Sequence, residues 1–113
     1  MTSDISDPRI KNLKIKTGVV KRITKEKISY EKELEKEKER LQKQKDAGED
    51  EHVLRKQEEI IQECLQMIPD SVRRLNSAVT DLHNSLDAEK DLEEIEEYQI
   101  ALLSIAAAEP HLA

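Results

Sequence analysis

The sequence predicts an all-α fold, an elongated antiparallel three-helix bundle of the spectrin-like rod type, and three observations carry that expectation. Apolar residues recur at three- and four-residue steps along two long stretches. Breakers are scarce, with two Gly and three Pro in 113 residues. Charged residues make up 39% of the chain, and Tyr30 and Tyr98 are its only aromatics. Such a composition belongs to helical bundles and coiled coils rather than to sandwiches or nucleotide-binding sheets, and 36% hydrophobic residues can fill only a thin core.

The first helix is expected over residues 8–46. Asp7 can accept from an orphan backbone N–H, and Pro8 has none to leave unsatisfied at the first helical position. Its inner side runs Ile10, Leu13, Val20, Ile23, Tyr30, Leu34 and Leu41. Gly18 interrupts it at a cost of about 1 kcal/mol relative to Ala. The Lys/Glu run at 25–45 gives weak support, because i,i+4 neighbours such as Glu33 and Glu37 repel while i,i+3 pairs such as Glu33 and Lys36 attract. The distal end is therefore the least supported part of the bundle.

Residues 46–50, DAGED, combine a glycine with capping acids, so the chain turns back. A second helix is expected over 51–86, with Leu54, Ile61, Ile68, Leu75 and Leu82 at seven-residue intervals and Leu65, Val72, Val79 and Leu86 beside them. Pro69 lies inside this pattern. The phase is the same on both sides, which favours one kinked helix over two separated by a loop. A third helix is expected over 89–108, capped by Asp87 or Asp91, with Glu93 and Glu94 in its first turn. Its inner face is Leu92, Ile95, Tyr98, Leu102 and Ile105, and Pro110 closes it. Residues 1–7 and 110–113 are expected as tails. Rods of about 55, 55 and 30 Å follow from the helix lengths. The short third helix then covers only the near half, leaving Ile28, Tyr30, Leu34, Ile60, Ile61 and Leu65 as a partly covered groove.

Charge is distributed unevenly. Residues 9–45 carry +8 and residues 46–113 carry −12, within a net charge of −6. Opposite charges on neighbouring helices can simply pair and keep the molecule soluble, or the basic stretch can form a docking face. The chemistry of most other function classes is missing. His52, His83 and His111 are scattered with no Cys at ligand spacing, so no metal is expected. Nucleophiles lack a His and acid constellation, and two glycines do not build a phosphate loop, so neither enzyme activity nor a cofactor is expected. Nucleic-acid binding is disfavoured by the overall acidity and by the lack of aromatics among the lysines. No apolar run reaches the roughly 18 residues that span a bilayer, and residues 1–7 are short and polar. Cys64 alone forms no intrachain disulfide and reads as a buried, reduced thiol. Together these lead to the expectation of a cytosolic protein that makes no membrane contact.

Residues 15–22 read IKTGVVKR, residues 67–74 read MIPDSVRR, and residues 89–98 read EKDLEEIEEY. With YEKE at 30–33 and the KQEEIIQE run at 56–63, these stretches resemble the tubulin-specific chaperone A family, also called tubulin-folding cofactor A. The runs occur in the same order and at similar separations, from about residue 7 to 103. The resemblance is weaker over 34–52 and ends after Leu103. It implies a three-helix rod that captures β-tubulin intermediates on the way to αβ-tubulin heterodimers. It implies no nucleotide hydrolysis, other tubulin-folding cofactors as further partners, and a place in the cytoplasm with the microtubule cytoskeleton. Tubulins are acidic as a family, so the basic residues Lys14, Lys16, Lys21, Arg22 and Lys25 are the candidate contacts, extended by Arg73 and Arg74 and by Tyr30 of the groove. Bracing against the acids of the third helix is the competing role for the same cations. The alternative from the residues alone is a structural coiled-coil adaptor that dimerises through the helix 1/helix 2 hairpin, and a monomer or a homodimer is compatible with the sequence.

Overall fold

The computed structural model describes residues 7–112, so the expected N-terminal tail lies outside it except for Asp7. Helix α1 spans Pro8–Asp46, α2 spans Glu51–Ala88 and α3 spans Glu96–Ala108. Asp7 begins α1 as expected, its side chain accepting from the Arg9 amide at 2.9 Å. The first turn closes at Gly48, which has φ +70. Its amide donates to the Lys45 carbonyl at 3.1 Å, and Asp50 then caps α2 by accepting from Val53 N–H at 3.0 Å. Helix α2 runs unbroken through Pro69.

Contacts between helices set the topology. Lys16 meets Asp81, Glu26 meets Arg74 and Glu37 meets Gln57, so α2 runs antiparallel to α1. Arg9 meets Glu89 and Asp91 at one end of the rod and Lys27 meets His111 further along, so α3 runs parallel to α1. The Cα envelope measures 63 × 22 × 22 Å with a radius of gyration of 19.7 Å. A compact domain of this length would have a radius near 13 Å.

The core divides in two. Ile10, Leu13, Val20, Leu75, Leu82 and Tyr98 belong to the larger proximal part, where all three helices meet. Leu34, Ile61 and Cys64, flanked by Leu41 and Ile68, form a small distal part between α1 and α2 alone. Beside it lies a buried polar pair. Gln57 and Glu37 are each 4% exposed, and the Gln57 amide nitrogen donates to both the carboxylate and the backbone carbonyl of Glu37.

Several expectations need correction. The stretch after α2 is not yet α-helix: Lys90–Leu92 form a 3-10 turn and α3 starts at Glu96, so Glu96 and Glu97, not Glu93 and Glu94, occupy its first turn. The turn lets Leu92 drop into the core, and Tyr98 secures it by donating its hydroxyl to the Leu86 carbonyl near the end of α2 at 3.0 Å. The inner face of α3 uses Ala101, Ser104 and Ala108 with Tyr98 and Ile105, so small residues fill much of its seam, while Leu102 is exposed. Last, Leu34 and Ile61 are not part of an open groove, since the hairpin buries them mutually; Ile28 and Tyr30 are half-buried, and Ile60 and Leu65 are exposed. At the C-terminal end, Glu109–His111 form a second 3-10 turn, and Leu112 packs against the proximal core rather than trailing as a tail.

Candidate functional site

Seven of the eight positions singled out from sequence fall on two different grooves. Lys14, Lys21 and Lys25 line the groove between α1 and α3, where Lys14 and Lys21 face Glu96, Glu97 and Ile100, and Lys21 and Lys25 face Ile100, Leu103 and Ala107. Arg22, Arg73 and Arg74 line the groove between α1 and α2, together with Asp70, Ser77 and Asp81. Tyr30 is half-buried further along the hairpin. Helical phase produces this split. Positions 14, 21 and 25 are seven and four residues apart and share one stripe, whereas 16 and 22 project to the other flank of α1.

The grooves also differ in how their cations are engaged. In the α1/α2 groove Lys16 donates to Asp81 at 3.2 Å and to the Ser85 hydroxyl at 2.7 Å. Arg73 pairs with Asp70 at 3.0 Å, and Arg74 reaches Glu26 at 3.1 Å and Asp70 at 3.4 Å. The hydrogen bond to Glu26 is the main cause of a raised Arg74 pKa, and Asp70 adds to it. Arg22 lies 3.8 Å from Glu26. Bracing therefore does occur in this groove, but through acids of α1 and α2 rather than α3. Lys14, Lys21 and Lys25, by contrast, are exposed and make no ion pair among the described residues. Acids of the connection to α3 are drawn instead to Arg9, which takes Glu89 at 2.9 Å and Asp91 at 2.8 Å.

Apolar surface accompanies the unpaired lysines. Leu103 is 70% exposed and Ile15 is 56% exposed, on either rim of the α1/α3 groove. Periodicity could not reveal Leu103 or Ile15 as surface features, because it locates an inner face without showing where a short third helix ends its cover. Elsewhere, Cys64 is buried and its thiol pKa is pushed up, first by burial and then by Glu33, Glu37 and Glu63, which disfavours the reactive thiolate. Among the described residues no group of three or more His, Cys, Asp or Glu could hold a metal ion, and no helix is long and apolar enough to cross a membrane.

Fold and surface together define a helical rod with two charged grooves, one with its cations engaged and one whose lysines make no ion pair among the described residues. The chain belongs to the family described as Tubulin binding cofactor A, whose model matches residues 8–104 and so takes in nearly the whole bundle. It is 52% identical over 97 residues to a protein of Rattus norvegicus named Tubulin-specific chaperone A, a match covering 86% of this chain and 90% of the relative. Among solved structures it is similar to human tubulin chaperone cofactor a, with a TM-score of 0.77 and 45% identity over 90% of this chain and 99% of that one. It is also similar to tubulin folding cofactor A from Arabidopsis thaliana, with a TM-score of 0.78 and 42% identity over 91% of this chain and 97% of that one.

Proposed function

We propose that this chain is a tubulin-folding chaperone that captures β-tubulin intermediates on the pathway to αβ-tubulin heterodimers and holds them without nucleotide hydrolysis. It acts in the cytoplasm with the microtubule cytoskeleton, alongside other tubulin-folding cofactors. One observation carries the reading: the family match runs across residues 8–104, so the likeness takes in α1, α2 and most of α3 rather than one motif. The surface adds physical support. A folding intermediate exposes apolar surface, and an acidic one is drawn to unpaired ammonium groups. Lys14, Lys21 and Lys25 supply those groups beside the exposed Ile15 and Leu103. Lys16, Arg22, Arg73 and Arg74 form a secondary contact set, because engaging them requires giving up existing pairs, and Tyr30 extends that side.

The adaptor reading has less to draw on, because Leu34 and Ile61, the residues that would form a seam between two hairpins, are already buried within one. Sedimentation of the purified chain, alone and with β-tubulin diluted from denaturant, tests the proposal. A stoichiometric heterocomplex formed without added nucleotide is the expected result. Self-association with no heterocomplex would instead establish the adaptor.

A further inference from the structure

Gly18 has no explanation among the described residues. It lies in the interior of α1, and Gly48 is the only glycine of positive φ among the described residues, so backbone conformation does not call for glycine there. A Cβ added at Gly18 meets nothing within 4 Å among the described residues, so packing does not call for it either. Glycine nevertheless weakens a helix interior. What Gly18 does provide is a notch in the wall of the α1/α3 groove, between Lys14 and Lys21 and facing Ile100.

We infer that this groove seats an acidic amphipathic helix of the client, lying along α1 with its backbone closest at Gly18; the inference rests on the proposed capture of β-tubulin. Charge selects the occupant. Lys14, Lys21 and Lys25 are without ion pairs among the described residues, and Glu96 and Glu97 stand across from the first two, so the attraction is strongest at the Lys21 and Lys25 end. There the facing wall is Ile100, Leu103, Ser104 and Ala107, with no acid.

Spacing selects a helix over a strand. The steps from Lys14 to Lys21 and from Lys21 to Lys25 rise about 10 and 6 Å along α1. Carboxylates seven and four residues apart on a partner helix match both steps while staying on one stripe. On a strand the ~10 Å step falls at three residues, which turns the second carboxylate to the opposite face. The partner's apolar stripe then meets Ile100 and Leu103, and the missing side chain at position 18 lets its backbone approach.

The test combines Gly18→Ala, Gly18→Leu and the double variant Lys21→Glu with Lys25→Glu. Each is measured for melting, for capture of β-tubulin, and for binding of a synthetic acidic amphipathic helix of about five turns. Gly18→Ala should raise Tm by about 4–8 °C while weakening both associations about ten-fold, and Gly18→Leu should weaken them further. The lysine double variant should leave melting nearly unchanged and weaken both, with the loss greatest at low salt. Wild-type affinity in either Gly18 variant overturns the inference while leaving capture itself intact, and so does loss of capture only in Arg22→Glu with Arg73→Glu. Failure of the wild-type chain to capture β-tubulin refutes the proposed function; the synthetic helix then decides the groove alone, and its failure to bind overturns the inference too. A wild-type dimer that Gly18→Leu dissociates assigns the groove to a second copy and likewise overturns it.

Discussion

Replacing Leu75 by Ala probes the centre of the molecule. Leu75 is 0% exposed and shares the proximal core with Leu13, Val20, Leu82 and Ala101, drawn from all three helices. Removing its branched end forfeits about 2 kcal/mol of burial. Val20, Leu82 and Ala101 are also fully buried and held from three sides, so the walls cannot close on the gap, and the total cost falls at about 3–5 kcal/mol. Against a stability of roughly 5–15 kcal/mol, that is a large fraction. It lowers Tm by at least about 12 °C. Leu34→Ala provides the internal comparison. Leu34 is 8% exposed in the distal core with Ile61 and Cys64 as its buried apolar neighbours, in a two-helix section that can relax, so its cost is about 2–3 kcal/mol. Urea unfolding followed by far-ultraviolet circular dichroism measures both. A Leu75→Ala loss under about 1 kcal/mol, or a larger loss from Leu34→Ala, would refute a main core centred under α3.

Three further expectations concern the buried polar pair, the tyrosine and the shape. The Glu37 carboxyl is held below its ordinary value of 4.5, first by the hydrogen bond from Gln57, with burial opposing and Arg40 assisting. A depressed carboxylate contributes stability that is present above its ordinary value and lost as pH falls through the folded one. Acid therefore weakens the distal hairpin below about pH 4.5, and Glu37→Gln should flatten that slope in a pH series of melting curves; an unchanged slope would mean that the pair is not formed in solution. Tyr98→Phe removes the donor to the Leu86 carbonyl and should cost about 1–3 kcal/mol in urea unfolding, with a neutral result denying that hydrogen bond a part in fixing the turn. Small-angle scattering should give a radius near the 19.7 Å of the Cα trace, and a value near 13 Å would contradict the extended rod.

What the sequence makes legible is whatever repeats or caps. Leu54, Ile61, Ile68, Leu75 and Leu82 announce α2 because leucine and isoleucine at seven-residue steps have few other uses, and Asp7 with Pro8 announces the start of α1 because the pair solves one hydrogen-bonding problem. The start of α3 is illegible for the opposite reason. Asp87 and Asp91 look like caps, yet neither supplies one; Ile95 precedes the helix with no side-chain cap at all, and the turn is held by Tyr98 reaching back to Leu86. Ala101, Ser104 and Ala108 carry the α3 seam with too little hydrophobicity to stand out, so Leu102 draws the inner-face assignment that they deserve.

Buried polar residues were hidden for a further reason. Thr17 and Ser71 satisfy their hydroxyls on their own helices, at Leu13 O and Met67 O, and Glu37 is buried inside a Lys/Glu run that otherwise reads as a solvated face. The candidate site was legible as a set of basic residues but not as a surface. Sorting Lys14, Lys21 and Lys25 from Lys16, Arg22, Arg73 and Arg74 depends on which flank of α1 receives α3, and α1 itself does not encode that.

Pro69 gains meaning from its place along the rod. It sits on α2 between the Arg74 contact to Glu26 and the Gln57 contact to Glu37, at the passage from the three-helix section to the two-helix section. Having no N–H, it gives nothing to the Leu65 carbonyl one turn back, and the backbone ladder is one rung short there. In mechanical terms the molecule is a cantilever. The thick near section is its clamped base, the hairpin beyond is a thinner beam, and the missing rung is cut where base gives way to beam. A sideways load on the Gly48 tip therefore bends the rod first at Pro69, sparing the base that carries the α1/α3 groove.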